Sequence, residues 1–202
     1  MASMSPASSA YPATLTFDPP EKVANWRPLV QWLLAIPHLV ILYFLRILAQ
    51  AVAFISWLVI LFTGALPESL ANIQAMYLRY EMRVYTYVNF MREEYPPFAF
   101  GTTPTDDGAD PRVRVDFRPQ LTDRNRLTVA FRVILAIPHL IALALLFIAA
   151  VVVELIAFFA VLFTGRWPEG MRTFVLNVNR WYLRFQTYLF LLTDEYPPFA
   201  LE

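Results

Sequence analysis

The side chains best equipped for chemistry in this chain are few, and they recur in matched sets. There are two histidines, His38 and His139, and each directly follows a proline, Pro37 and Pro138. Two arginine pairs at helical spacing, Arg79 with Arg83 and Arg180 with Arg184, repeat the pattern. Matched histidines raise the idea of a shared metal or a bis-histidine haem. Against it, one imidazole per copy is half of a usual zinc set, and a histidine beside a proline kink can bond a carbonyl freed by that kink. The expectation is therefore no metal. The arginines are the stronger candidates, since guanidinium makes forked contacts with a lipid phosphate, a carboxylate or an acidic partner. Their competing use is internal pairing with Glu81, Glu154, Glu93 or Asp194, or snorkelling to headgroups.

Familiar reaction centres are missing. Cysteine is absent, no serine sits in a glycine-flanked elbow, and Thr63-Gly64 and Thr164-Gly165 lack the further glycine and lysine of a phosphate loop. No catalytic residue, cofactor or enzymatic activity is expected. Sixteen basic residues balance sixteen acidic ones, which gives no reason to expect nucleic acid as a partner.

The elements that would position these side chains are apolar and duplicated. Hydrophobic residues make up 58% of the chain, and they concentrate in 29–62 and 129–163, where Arg46, Arg132 and Glu154 are the only charges. Each run is long enough to span a bilayer. Leu34-Ala-Ile-Pro-His-Leu39 returns as Leu135-Ala-Ile-Pro-His-Leu140, and Leu61-Phe-Thr-Gly64, Pro67-Glu68, Arg79 and Glu94-Tyr-Pro-Pro-Phe98 all recur 101 residues later without a gap.

In chain order, residues 1–10 read as a disordered tail without signal-peptide character. Repeat 1 occupies 11–100, a polar Thr/Asp/Pro linker 101–111, and repeat 2 112–202. Short strands at 11–17 and 112–117 open the repeats and are expected to pair outside the membrane. Residues 29–62, 34 in all, would make about 51 Å of helix against a core of about 30 Å. Pro37 and Pro138 are placed to divide each run into an interfacial helix, 26–36 or 126–137, and a span, 38–62 or 139–163. Second helices over 68–92 and 169–193 either cross the membrane or lie at its surface. Two-span hairpins would make the copies parallel, with basic residues gathered on one side. Hairpin folding would also bring Arg46 near Glu81 and Glu154 near Arg180, pairing the intramembrane charges.

The motifs Arg126-x-Thr128, Leu135-Ala-Ile-Pro-His-Leu140, Leu162-Phe-Thr-Gly-Arg166, Trp167-Pro-Glu, Arg180-Trp-x-x-Arg184, Thr187-Tyr188 and Asp194-Glu-Tyr-Pro-Pro-Phe199 resemble bacterial membrane proteins of the domain of unknown function 4389 family. The resemblance covers both halves and departs at Ala65-Leu66, where the family tends to have a basic and an aromatic residue. It implies a multi-pass prokaryotic membrane protein and supplies no catalytic residues.

The expectation is an all-α integral membrane protein of internally duplicated helical hairpins, with about four membrane-embedded helices, short interfacial helices and minor extramembrane strands. It would lie in the inner, cytoplasmic membrane with termini and linker in the cytoplasm. Its expected role is that of an accessory or scaffold subunit, its partners being membrane lipids and other membrane proteins of a larger complex. The alternative is a small transporter or lipid-handling protein that binds an anionic group through Arg79, Arg83, Arg180 and Arg184.

Overall fold

The computed structural model describes residues 11–201, so the expected N-terminal tail lies outside the described residues. The first repeat contains β1 (Ala13–Phe17), α1 (Arg27–Leu34), α2 (Ile36–Thr63) and α3 (Glu68–Val88). The second contains β2 (Val113–Phe117), α4 (Arg126–Ala130), α5 (Arg132–Thr164) and α6 (Glu169–Leu189). The chain is mostly helical with one small sheet, and of these helices α2 and α5 are long and apolar enough to cross a membrane. The other two long helices, α3 and α6, carry buried arginine, glutamate and glutamine among their apolar residues and fail that test.

The long helices are almost continuous with the short ones before them. Ala35 keeps right-handed helical geometry, and the Ala35 N–H donates to Gln31 O at 2.9 Å while the Leu39 N–H donates to Ala35 O at 3.0 Å. The breaks therefore fall at Ala35 and Phe131, not at the prolines. Pro37 sits in the first turn of α2, where its missing N–H removes no helical bond. Pro138 lies inside α5. An interior proline costs about 3 kcal/mol, and on either side of it Ala136 and Leu143 pack on Trp181 and Phe185. Both long helices end at a left-handed glycine, Gly64 (φ 73°) and Gly165 (φ 66°), whose N–H closes on the carbonyl four residues back. The second helices end at Val88 and Leu189, earlier than expected, because Phe90 and Leu191 turn left-handed and terminate them.

The two repeats are antiparallel, not parallel. The Val23 N–H donates to Gly165 O, and the Arg124 N–H donates to Gly64 O, two bonds related by the same offset of 101 as the sequence motifs. The start of each long rod therefore meets the end of the other. Such reciprocal contacts are those of a pseudo-twofold arrangement, and its axis passes where Glu81 of α3 accepts from the hydroxyl of its own repeat-equivalent, Tyr182 of α6.

Three layers result. The outer layer is α1–α2 beside α4–α5. The middle layer is α3 and α6, so enclosed that no residue of 70–88 is exposed and only Thr173 is exposed in 171–189. The third layer is the antiparallel β1–β2 ribbon, in which Leu15 faces Val115 across the register. Its inner face buries Ala13, Leu15, Val113, Val115 and Phe117 against the middle helices, and Thr14, Thr16 and Arg114 point outward. An isolated ribbon is only marginally stable, and α3 and α6 supply its missing second surface.

Candidate functional site

The four candidate arginines do not meet as one cluster. Arg79 and Arg180 divide between the two strands, whereas Arg83 holds the linker and Arg184 the C-terminal segment. Arg79 donates through Nε to Val115 O at 3.1 Å, and through its terminal nitrogens to the carbonyls of Gly101, Thr103 and Pro104. Arg180 repeats the first contact on the other strand, Nε to Leu15 O at 3.1 Å, and also holds Asn177 Oδ1. These carbonyls belong to cross-strand partners, so each helix holds its strand by an arginine one repeat apart. Arg83, fully buried, pairs with Asp106 at 2.8 Å and Asp107 at 3.1 Å. Arg184 donates to the carbonyl of Ala200. None of the carboxylates expected from sequence as partners, Glu81, Glu154, Glu93 or Asp194, pairs with these four.

The linker supplies what sequence reasoning missed. Asp106 accepts from the backbone N–H of Val115 at 2.8 Å and of Gly108 at 2.9 Å as well as from Arg83. Asp110 takes Arg92 through both oxygens, at 2.6 and 2.7 Å. Residues 101–111 are thus a packed strap across the middle of α3 and not a spacer. Three aspartates in five positions, facing a helix with two enclosed arginines, are the signal that marks such a strap.

The histidines are enclosed in separate aromatic cages, each built from its own repeat. His38 stacks on Phe98 at 4.4 Å with Tyr95 at 4.5 Å, and its Nδ1 lies 2.5 Å from the Tyr80 hydroxyl. His139 stacks on Phe199 at 4.0 Å with Tyr196 at 4.8 Å, and Trp181 Nε1 donates to its Nδ1 at 3.0 Å. Indole can only donate, so Nδ1 of His139 carries no proton. These contacts join three motifs that are far apart in sequence: Pro-His, the aromatic residue after Arg79 or Arg180, and Tyr-Pro-Pro-Phe. At Nδ1 the partner is thus an aromatic side chain and not a carbonyl freed by the proline. Among the described residues no group of three or more His, Asp or Glu side chains is placed to hold a metal ion.

At the pseudo-axis Glu81 is 2% exposed. Its Oε1 accepts from Tyr77 at 2.8 Å and from Tyr85 and Tyr182 at 3.3 Å. Burial pushes the carboxyl above the usual carboxylate range, against the opposing pull of those hydroxyls and of Arg46. Arg46 is thus brought into electrostatic reach of Glu81 without a close ion pair, whereas Glu154 accepts from Asn89 at 2.9 Å and is separated from Arg180, which points to the sheet. Between the middle of α2 and the start of α5, with α6 beneath, lies a cleft of about 560 Å³ that includes Arg46, Tyr182 and Gln186.

This arrangement defines a duplicated helical slab with a charge-bearing interior. The chain belongs to the family described as domain of unknown function (DUF4389), whose pattern matches residues 25–99 and 126–200 as two tandem copies. No curated protein and no solved structure matches the chain.

Proposed function

We propose that this protein is a non-enzymatic accessory protein seated in one leaflet of a membrane. Its two long rods lie in the membrane plane, its strap and sheet face water, and its slab serves as a scaffold for lipids and neighbouring membrane proteins. One observation carries the reading. Large apolar side chains are exposed along the entire length of both rods, from Leu29 to Phe62 and from Leu127 to Phe163, on the side away from the sheet.

An upright placement conflicts with the course of the chain. The end of α3 lies beside α1, where Gln31 donates to the carbonyls of Tyr87 and Arg92. Residues 121–124 lie at the far end of α2, bonded to Gly64 and Leu66. Residues 93–120 therefore run the length of the slab, with Thr102, Thr103, Thr105 and Asp107 exposed. Upright rods would carry that irregular polar segment through hydrocarbon, where each unsatisfied backbone group costs several kcal/mol. Rods in the plane keep it in water. We assign the cytoplasmic leaflet of the bacterial inner membrane, whose acidic headgroups suit Arg27, Arg126 and Arg166 at the rod ends.

The accessory role is supported by the use of every repeated motif as a strut, cage or cap. Arg79 and Arg83, at 2% and 0% exposure, line no open path. The test has two arms. Thr16→Cys, Asp107→Cys and Ala65→Cys, made singly, should all react with an impermeant maleimide from the same side of oriented vesicles; labelling of Ala65→Cys from the opposite side alone would overturn the in-plane seat. Gentle detergent extraction should recover the protein in fixed stoichiometry with another membrane protein, and recovery of the chain alone from every detergent would overturn the scaffold role.

A further inference from the structure

We propose that the cleft between α2 and α5 is a binding site for an acidic lipid, with one acyl chain lying in the cleft and the acidic head held at Arg46. The inference rests on the in-plane reading, because it takes the outer layer as the membrane face. The cleft measures about 560 Å³, within the range of sites that enclose a small amphiphile. Its walls come from both rods and its floor from α6, so it opens through the outer layer, between the two apolar stripes. Phe54, Trp57, Leu140, Phe185 and Leu189 provide apolar wall, and Trp57 is fixed there by donating its Nε1 to Val129 O at 3.0 Å.

The polar groups in this cleft are incomplete in a complementary way. Arg46 is exposed at mid-length of α2 and forms no ion pair within 4 Å among the described residues, while Glu81, its nearest compensating charge, is enclosed by tyrosine hydroxyls. A cation in the middle of an apolar stripe is costly at membrane depth unless it is paired. Gln186, 5% exposed, donates through Nε2 to Tyr182 at 2.6 Å, and its Oε1 is buried without a partner. An anionic oxygen meets the first need and a head-group hydroxyl the second. Arg132, also in the lining, is already occupied by Asp194 and by the Tyr188 ring beneath it at 3.9 Å.

The duplication supplies an independent argument, because it is broken here. At the equivalents of Arg46, Gln50, Ala53 and Trp57 stand Phe147, Val151, Glu154 and Phe158. Phe147 packs on Tyr182 at 5.5 Å and Glu154 is satisfied by Asn89. The helix ends, cages and struts are kept in both copies, whereas these polar groups exist in one.

The test uses the full chain in nonionic detergent, stripped of lipid, with four probes: oleate, dioleoylphosphatidylglycerol, dioleoylphosphatidylcholine and glycerol 1-phosphate. Oleate and the acidic phospholipid should bind one to one by calorimetry. Arg46→Gln should weaken them about tenfold or more, the loss expected for one charge-assisted contact, and Ala53→Leu, which narrows the cleft, should weaken them without changing charge. Phosphatidylcholine binding as tightly as the acidic lipids, glycerol 1-phosphate binding alone, or Arg46→Gln binding like the wild type would each overturn the proposal. Flotation of the wild-type chain on vesicles reads the membrane seat separately, so a chain that binds oleate and fails to float overturns the seat and not the site.

Discussion

Removing the Asp106 carboxylate is the sharpest test of the strap. Asp106→Ala withdraws the 2.8 Å partner of Arg83, whose side chain is fully buried, and an acceptor 3.4 Å from Arg79. It also orphans the N–H groups of Val115 and Gly108. Breaking a buried pair by removing one partner costs about 3–5 kcal/mol, and the remaining carboxylate at 3.1 Å, Asp107, is on the exposed side of the strap and replaces Asp106 only weakly. At about 2–4 °C per kcal/mol for a chain of this size, melting should fall by roughly 6–20 °C. The assay is thermal unfolding in mild detergent followed by near-ultraviolet circular dichroism, combined with a double-mutant cycle. Arg83→Met with Asp106→Ala removes both charges, and that double variant should melt well above Asp106→Ala alone. A loss below about 1 kcal/mol for the single variant, or additivity in the cycle, would refute the reading of 101–111 as a strap.

Other expectations follow from the cages, the termini and the turns. Trp181→Phe leaves His139 Nδ1 without its donor and should cost about 1–3 kcal/mol in the same melt; Tyr80→Phe should behave alike at His38. Burial raises the Asp194 carboxyl, but the bond from Arg124, the Asn125 N–H and the charge of Arg132 outweigh it and hold the group below its ordinary value. A depressed folded value contributes stability that is complete above the unfolded value, about 3.9, and is lost as pH falls through the folded one. Melting temperature should therefore drop on acidification below about pH 4, and Asp194→Asn should flatten that dependence. Gly165→Ala should destabilise more than Gly64→Ala. Both force a side chain into left-handed backbone, but a Cβ at 165 would meet the Val23 carbonyl at 2.9 Å, whereas at 64 it meets only the flexible Arg126 guanidinium at 3.3 Å.

The duplication, the hairpin turns and the pairing of the two short strands were legible because they rest on local signals: an offset of 101, glycine followed by proline, and alternation. The direction of one repeat against the other was not. It depends on Val23 reaching Gly165 and Arg124 reaching Gly64, contacts across 142 and 60 positions that leave no periodic trace. Hairpin folding within one repeat places Arg46 in electrostatic reach of Glu81, as its sequence position implies, whereas Glu154 meets Asn89 of the other repeat, which no within-repeat folding reveals. The arginines were recognised as unusual, but their partners are mostly backbone carbonyls, which carry no sequence signature. The chemistry of Pro37 and Pro138 points to kinks. The first sits where a helix tolerates proline, and the helix continues through the second.

The central claim, rods lying in one leaflet, is tested most directly by measuring depth along α1–α2. The chain has no native cysteine, so single spin labels at Leu33, Val40, Ile47, Ile55 and Phe62, all exposed, report without interference across about 44 Å of helix. Relative accessibility to oxygen and to a polar nickel complex gives the depth of each. The in-plane account requires similar depths at all five sites. A profile deepest at Ile47 and shallow at both Leu33 and Phe62 would mean that the rod crosses the bilayer, and would contradict it.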